Sequence, residues 1–262
     1  MLKGRGIAVA FVVLVFSASS AFAGWILVDD FQDKTLGDLD GQGYWKADGD
    51  RQDVAIEGAN KFLSLLDTNG TTGDVTYNND PDVALADNTT GTLFFRLRWQ
   101  SDTNDQSVGW AQPAAPGTSF NDFAAYLRRS GTRNGTNDGW VLGTRDGGTS
   151  PDFSNIVVLD NEWYNIWIVA DSTADTARYY VSGPGLTGQV LGKDATGKTD
   201  FTFRNTSASA LQSFLIRRVN GASYDDIYVD SSGANLTMIP EPATMALLGL
   251  GGLGMLLRRR RA

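Results

Sequence analysis

Leu93-Phe94-Phe95-Arg96-Leu97-Arg98-Trp99 is the stretch whose reading decides the fold. In an extended strand successive side chains point to opposite faces of the sheet. Leu93, Phe95, Leu97 and Trp99 therefore share one face, and Phe94, Arg96 and Arg98 the other. That alternation predicts a strand with a buried side and a side carrying charge. Working outward, a second alternating run, Asn165-Ile166-Trp167-Ile168-Val169-Ala170-Asp171, leads through Ser172-Thr173-Ala174-Asp175 into Ala177-Arg178-Tyr179-Tyr180-Val181. Ser, Thr and Asp bond readily to their own backbone in turns, so this segment predicts a hairpin.

The rest of the chain repeats the theme in short runs divided by Gly, Asn, Asp and Thr clusters. Strands are predicted at Trp25–Phe31, Val54–Glu57, Lys61–Leu66, Asp74–Tyr77, Thr92–Gln100, Ser107–Ala111 and Asp122–Arg128. Further strands are predicted at Gly139–Thr144, Ile156–Leu159, Trp163–Ala170, Ala177–Ser182, Leu211–Arg217 and Tyr224–Val229. No window between the chain ends holds a competing helical period. The pattern is an all-β sandwich, a single domain over residues 24–239 with a sizeable core. The hairpin, the Trp-rich strand before it and the Asp225-Asp226-Ile227-Tyr228-Val229 strand resemble the concanavalin A-like, or laminin G-like, jelly roll. Val28-Asp29-Asp30-Phe31 with Leu36-Gly37-Asp38-Leu39 strengthens that resemblance, which implies a jelly-roll β-sandwich.

The two ends carry address information. Lys3 and Arg5, the apolar run Ile7–Phe16 and Ala21-Phe22-Ala23 predict a signal peptide over residues 1–23, cut by signal peptidase between Ala23 and Gly24. At the other end Pro240-Glu241-Pro242 precedes the apolar run Ala243–Leu257 and the basic cluster Arg258, Arg259, Arg260 and Arg261. Proline fixes φ and lacks an N–H, so the triplet is extended and accessible. The run would be about 22 Å long as a helix, against a hydrocarbon core of about 30 Å. It reads as a short C-terminal transmembrane helix, helped by snorkelling arginines that stay on the cytoplasmic side. This three-part order over residues 240–262 resembles the PEP-CTERM sorting signal of exported bacterial proteins. The resemblance implies recognition of Pro240, Glu241 and Pro242 by an exosortase, a membrane cysteine protease/transpeptidase. It further implies loss of the tail and transfer of the body from the inner membrane to the cell surface or an extracellular polysaccharide matrix. An ordinary membrane anchor is the alternative reading.

Charge and composition exclude several classes. The chain has 22 basic and 30 acidic residues. Setting aside Lys3, Arg5, the four terminal arginines and Glu241 leaves a body with 16 basic and 29 acidic residues. Such a body repels nucleic acid and anionic lipid and tolerates divalent cations. There is no cysteine, hence no disulfide, thiol nucleophile or thiolate metal site, and no histidine, the commonest general base and zinc ligand.

Glycosidases need two carboxyl groups about 5 to 10 Å apart. The body has only Glu57 and Glu162, in separate segments, and nothing marks a pair among its 27 aspartates. Polysaccharide lyases of jelly-roll fold use Arg, Gln, His and Tyr. The absence of histidine argues against them, although Tyr126-Leu127-Arg128-Arg129 and Arg178-Tyr179-Tyr180 could line a groove. No Gly-x-Ser-x-Gly elbow and no phosphate-binding glycine loop is present. No catalytic residue is therefore assigned, and the body is read as a non-enzyme.

For metals, Asp29-Asp30 and Asp225-Asp226 lie in the first and last strands, which a jelly roll brings together. Asp30 and Asp226 are thus candidate ligands for a structural calcium, with Asp102-Thr103-Asn104-Asp105 a weaker candidate. For binding, sugar rings stack on exposed aromatic faces. Trp110 and Trp140, flanked by Gly and loop-forming residues, are the candidate glycan platforms, whereas Trp99, Trp163 and Trp167 are assigned to the core. The reading is an exported surface or matrix protein that binds extracellular polysaccharide. The alternatives are a polysaccharide-acting lyase or glycosidase, favoured by carboxylates facing across a groove, and a purely structural matrix protein, favoured if the tryptophans are all buried. Asn-x-Ser/Thr sequons at Asn69, Asn88, Asn134, Asn205 and Asn235 are read as chance.

Overall fold

The computed structural model describes residues 24–48, 52–65, 75–99, 106–133, 139–205, 209–217 and 221–238. Residues 1–23, where the signal peptide is predicted, the Pro-Glu-Pro triplet with everything after it, and Asp102–Asp105 lie outside the described residues. Among the described residues no helix is long and apolar enough to cross a membrane.

Gly24–Met238 folds as two antiparallel sheets. The first runs in the order β14 (Val190–Leu191), β13 (Thr176–Ser182), β12 (Trp163–Asp171), β7 (Thr90–Trp99), β17 (Ala222–Asp230), β5 (Asn60–Leu65), β4 (Gln52–Glu57) and β2 (Gly37–Asp38). In the same sheet β1 (Ile26–Asp29) pairs with β17, and β15 (Phe201–Thr202) with β13. The second sheet runs β11 (Asp152–Leu159), β10 (Gly139–Thr144), β9 (Phe123–Arg133), β8 (Ser107–Ala111), β16 (Ser213–Arg217), β6 (Val75–Asn78) and β3 (Trp45–Ala47). The all-β sandwich is thus as the alternation predicts.

β7 lies mid-sheet between β12 and β17, and its inward set Leu93, Phe95, Leu97 and Trp99 is fully buried in the main core. Across the sandwich Phe95 meets Phe214 of β16 at 5.6 Å between ring centroids, and Trp45 of β3 meets the same ring edge-on at 6.1 Å. The predicted hairpin β12–β13 forms, with Asp171 opposite Thr176. Its turn is fixed by Asp171 Oδ1, which accepts from the amides of Thr173 and Ala174 at 2.9 and 3.1 Å.

The outer face of β7 differs from a plain solvated face. Phe94 is buried there under Trp25, Trp167 and Tyr228. The segment after β17 lies along the same face. Asn235 donates its amide to Thr92 Oγ1 (2.9 Å), Thr237 accepts from Trp25 Nε1 (3.0 Å), and the Thr237 carbonyl accepts from Trp167 Nε1 (3.4 Å). The two chain ends of the body are therefore tied to one another through tryptophans. β2, β3, β14 and β15, of two or three residues each, are absent from the predicted strands, because runs that short carry no readable period.

Candidate functional site

β9 crosses the second sheet with a register shift against β8 between Phe123 and Tyr126. Leu127 points into the main core, while Phe123 and Tyr126 join Val75, Ala111 and Leu215 in a smaller apolar cluster on the sheet's outer face. The Tyr126 ring lies against Phe123, 4.5 Å between centroids, so its body is buried and its hydroxyl is aimed at a cleft. That cleft, about 90 Å³, is lined by Phe120, Tyr126, Arg128, Arg145, Ser150 and Arg204.

Three connections bring the arginines there. Arg145 follows β10 and enters the tight Asp146–Thr149 turn, which is closed by amide bonds in both directions at 3.0 and 3.1 Å. Lys198 and the Thr202 amide hold Asp146 and so fix that turn. Arg204 follows β15, and its amide donates to the Ala124 carbonyl of β9 at 3.1 Å. Phe120 sits on a single 3-10 turn capped by Ser119 Oγ, which accepts from the Asn121 amide.

The Tyr126 hydroxyl oxygen accepts from Arg145 Nε at 3.3 Å and from Arg204 Nη1 at 3.3 Å. Arg145 Nη1 also donates to the Gly148 carbonyl, and Arg204 Nε to Asn121 Oδ1. Arg128 is anchored by Asp152 at 2.5 Å and by the Ser150 carbonyl at 2.9 Å, and Ser130 Oγ donates to the other Asp152 oxygen. The guanidinium of Arg217 stacks 3.7 Å from the Phe120 ring centre. Among the described residues neither Arg145 nor Arg204 is in an ion pair. No carboxylate among the described residues lines the cleft.

Several expectations need correction. Trp110 is 0 % exposed and donates to the Val83 carbonyl at 2.9 Å, and Trp140 is 4 % exposed and donates to Asp160 Oδ1 at 2.6 Å. Neither can serve as a sugar platform. Their glycine neighbours mark close strand packing, not loops: a Cβ on Gly109 would lie 2.2 Å from the Ala125 carbonyl oxygen, and one on Gly139 2.4 Å from a Val157 methyl. Trp163 is not a core residue either. It is half-buried on the outer face of the first sheet, under the guanidiniums of Arg96 and Arg98. Trp167 is buried, but beneath the chain ends on that same outer face.

The terminal strands β1 and β17 do pair, as the calcium expectation required. Yet Asp226 is in an ion pair with Arg96 at 3.3 Å, and Asp30 accepts from the Gln32 amide. Asp29 is bonded to Trp45 Nε1, the Phe31 amide and Lys34. Among the described residues no group of three or more metal-ligating side chains is gathered around Asp30 and Asp226. Their neighbour Asp225 has its pKa pushed up to about 7 by burial and by the Asp226 charge. The same carboxylates, after burial itself, raise the Tyr228 phenol to about 12. Asp225 is only 1 % exposed, out of reach of a polysaccharide, so this pair is not read as an acid–base dyad. Glu57 is exposed and bonded to Arg98, and Glu162 lies in the exposed turn before β12.

Comparison with known proteins adds two findings to this geometry. Residues 239–261 match the PEP-CTERM protein-sorting motif. The chain therefore carries the signal of an exported protein that is anchored in the membrane and then processed by an exosortase. No curated protein matches the chain. Among solved structures, the catalytic domain of a glycoside hydrolase family 131 protein from Coprinopsis cinerea superposes with a TM-score of 0.52 at 16 % identity, covering 82 % of this chain and 98 % of that one. Lectin II from Ulex europaeus gives 0.49 at 9 % identity, over 72 % and 93 % of the two chains. A carbohydrate esterase from Shiga toxin-encoding bacteriophage phi24B gives 0.47 at 16 % identity, over 73 % and 91 %. The body's two-sheet β-sandwich is thus consistent with a jelly roll, and the likeness to the glycoside hydrolase domain concerns the fold alone.

Proposed function

We propose that the body is a non-catalytic surface or matrix protein that binds extracellular glycan in the Tyr126 cleft. The carrying observation is the cleft itself, where the half-buried ring of Phe120, the Tyr126 hydroxyl and three guanidiniums converge. Fixed donors beside an aromatic surface suit the hydroxyl-rich, partly apolar surface of a sugar. Sorting to the exterior supplies the compartment in which such a ligand is met.

A second reading, a polysaccharide-acting enzyme, is favoured by one observation: Tyr126 places a hydroxyl, a group that can exchange a proton, inside the cleft. The test is a panel of bacterial and algal polysaccharides titrated against the purified protein while new reducing ends and unsaturated products are monitored. Saturable binding with intact glycan supports the proposal, and product release supports the enzyme. Neither binding nor products would move the body to the structural class.

A further inference from the structure

We infer that the Tyr126 cleft selects anionic polysaccharide, with Arg145 and Arg204 forming a receptor for an oxyanion substituent of the sugar, a carboxylate or a sulfate. This rests on the glycan-binding reading above and names its ligand class.

Six other cations among the described residues are paired with carboxylates, whereas Lys61 donates to the carbonyls of Gln32 and Lys34. Lys34 pairs with Asp29 and Asp33, Arg96 with Asp226, Arg98 with Glu57, Arg128 with Asp152, Arg178 with Asp200 and Lys198 with Asp146. The body holds 29 acidic residues for 16 basic ones. Arg145 and Arg204 nevertheless stand without one among the described residues, and both hold the same phenol oxygen at 3.3 Å. Two like charges gathered on one neutral acceptor repel each other, and an anion between them relieves that repulsion.

The donors also count. A guanidinium has five N–H groups in a planar fork that matches the two oxygens of a carboxylate or sulfate. Arg145 uses Nε and Nη1 on the protein, as does Arg204, so Nη2 of each has no acceptor among the described residues. Both side chains are half-buried and line the cleft, which leaves these groups reachable. Arg128, tied to Asp152 and the Ser150 carbonyl, forms the fixed wall beside them. The body as a whole is acidic, so this recognition is local and does not arise from a general attraction. Salt near 0.1 M screens the distant repulsion beyond about 10 Å while contacts inside the cleft persist.

The experiment titrates the full chain in nonionic detergent at about 0.15 M NaCl with polygalacturonate, dextran sulfate and neutral dextran. Arg145→Gln, Arg204→Gln and the double variant are compared with the parent, together with Arg145→Glu. The parent is expected to bind at least one polyanion in preference to dextran. Each single Gln variant should weaken that binding by about tenfold, and Arg145→Glu should abolish it, with melting temperatures little changed because neither arginine supports an ion pair. Preference for polygalacturonate identifies carboxylate as the substituent, and preference for dextran sulfate identifies sulfate. Equal binding of dextran, or polyanion affinity unchanged in the double variant, overturns the anion receptor and leaves glycan binding standing. Binding of free galacturonate or inorganic sulfate that the double variant loses, with no polysaccharide bound, would keep the anion receptor and remove the glycan reading.

Discussion

Asp225 makes stability depend on pH in a window that ordinary carboxylates leave empty. Its carboxyl, ordinarily near 3.8, is raised to about 7 in the fold by burial first and by Asp226 second. A raised carboxyl pKa means that the folded state binds the proton more tightly than the unfolded chain. Stability is therefore highest near pH 4 for this group and falls as pH rises toward 7, levelling off above it. A shift of about three units corresponds to a limit of about 4 kcal/mol at pH 8. Because the charge is shared with Asp226 beside Arg96, about half of that, on the order of 2 kcal/mol, is the working expectation. About three fifths of that falls between pH 5 and pH 8, which for a body of this size is a fall in melting temperature of roughly 2–5 °C. The chain has no histidine to confuse the window. Asp194, held low by the Thr196 hydroxyl, acts only below about pH 4, where its contribution is lost as pH falls. The assay is thermal melting across pH 5 to 8 for the parent and Asp225→Asn. The substituted amide keeps an acceptor for Asn60 but carries no titrating proton, so the variant's profile should be flatter than the parent's, with the smaller slope left by the raised Asp175 carboxyl. Parallel profiles for the two proteins would refute the assignment.

Three further outcomes are expected. Trp25→Ala removes the ring that covers Phe94 and the donor to Thr237, and should cost about 3 kcal/mol, or roughly 6–10 °C in melting temperature; a change under about 2 °C would show that the chain ends are not tied as described. Glu241→Ala deletes the only charge of the Pro-Glu-Pro triplet and should lower the yield of processed protein at the cell surface, measured by fractionation; an unchanged yield counts against a read motif. Millimolar calcium should leave the melting temperature within about 1 °C, since Asp226 is already paired with Arg96; a rise of several degrees would reveal ligands beyond those described.

The fold was legible because β7 alternates from Phe95 to Trp99 and the β12–β13 hairpin joins two apolar, β-branched and aromatic runs through a turn rich in Ser, Thr and Asp. The site was half legible. Tyr126 and Arg128 stand out as neighbours on one strand face, but Arg145 and Arg204 reach them from connections that no local period describes. Which arginine lacks a carboxylate is a property of the packed molecule. Trp110 and Trp140 misled because glycine next to tryptophan suggests a loop, whereas Gly109 and Gly139 answer to backbone and side chains packed against them from the neighbouring strand. The burial of Asp225 was equally hidden, since adjacent aspartates in a strand ordinarily send one side chain to water.

The most direct test of glycan binding in the Tyr126 cleft is hydrogen exchange on the intact protein, free and saturated with a bound polysaccharide, with the glycan sized before and after. Protection is expected to be confined to Tyr126–Ser130, Arg145–Ser150 and Arg204, with a glycan of unchanged length. Protection centred on Trp163 and the first sheet, or a shortened glycan, would contradict it.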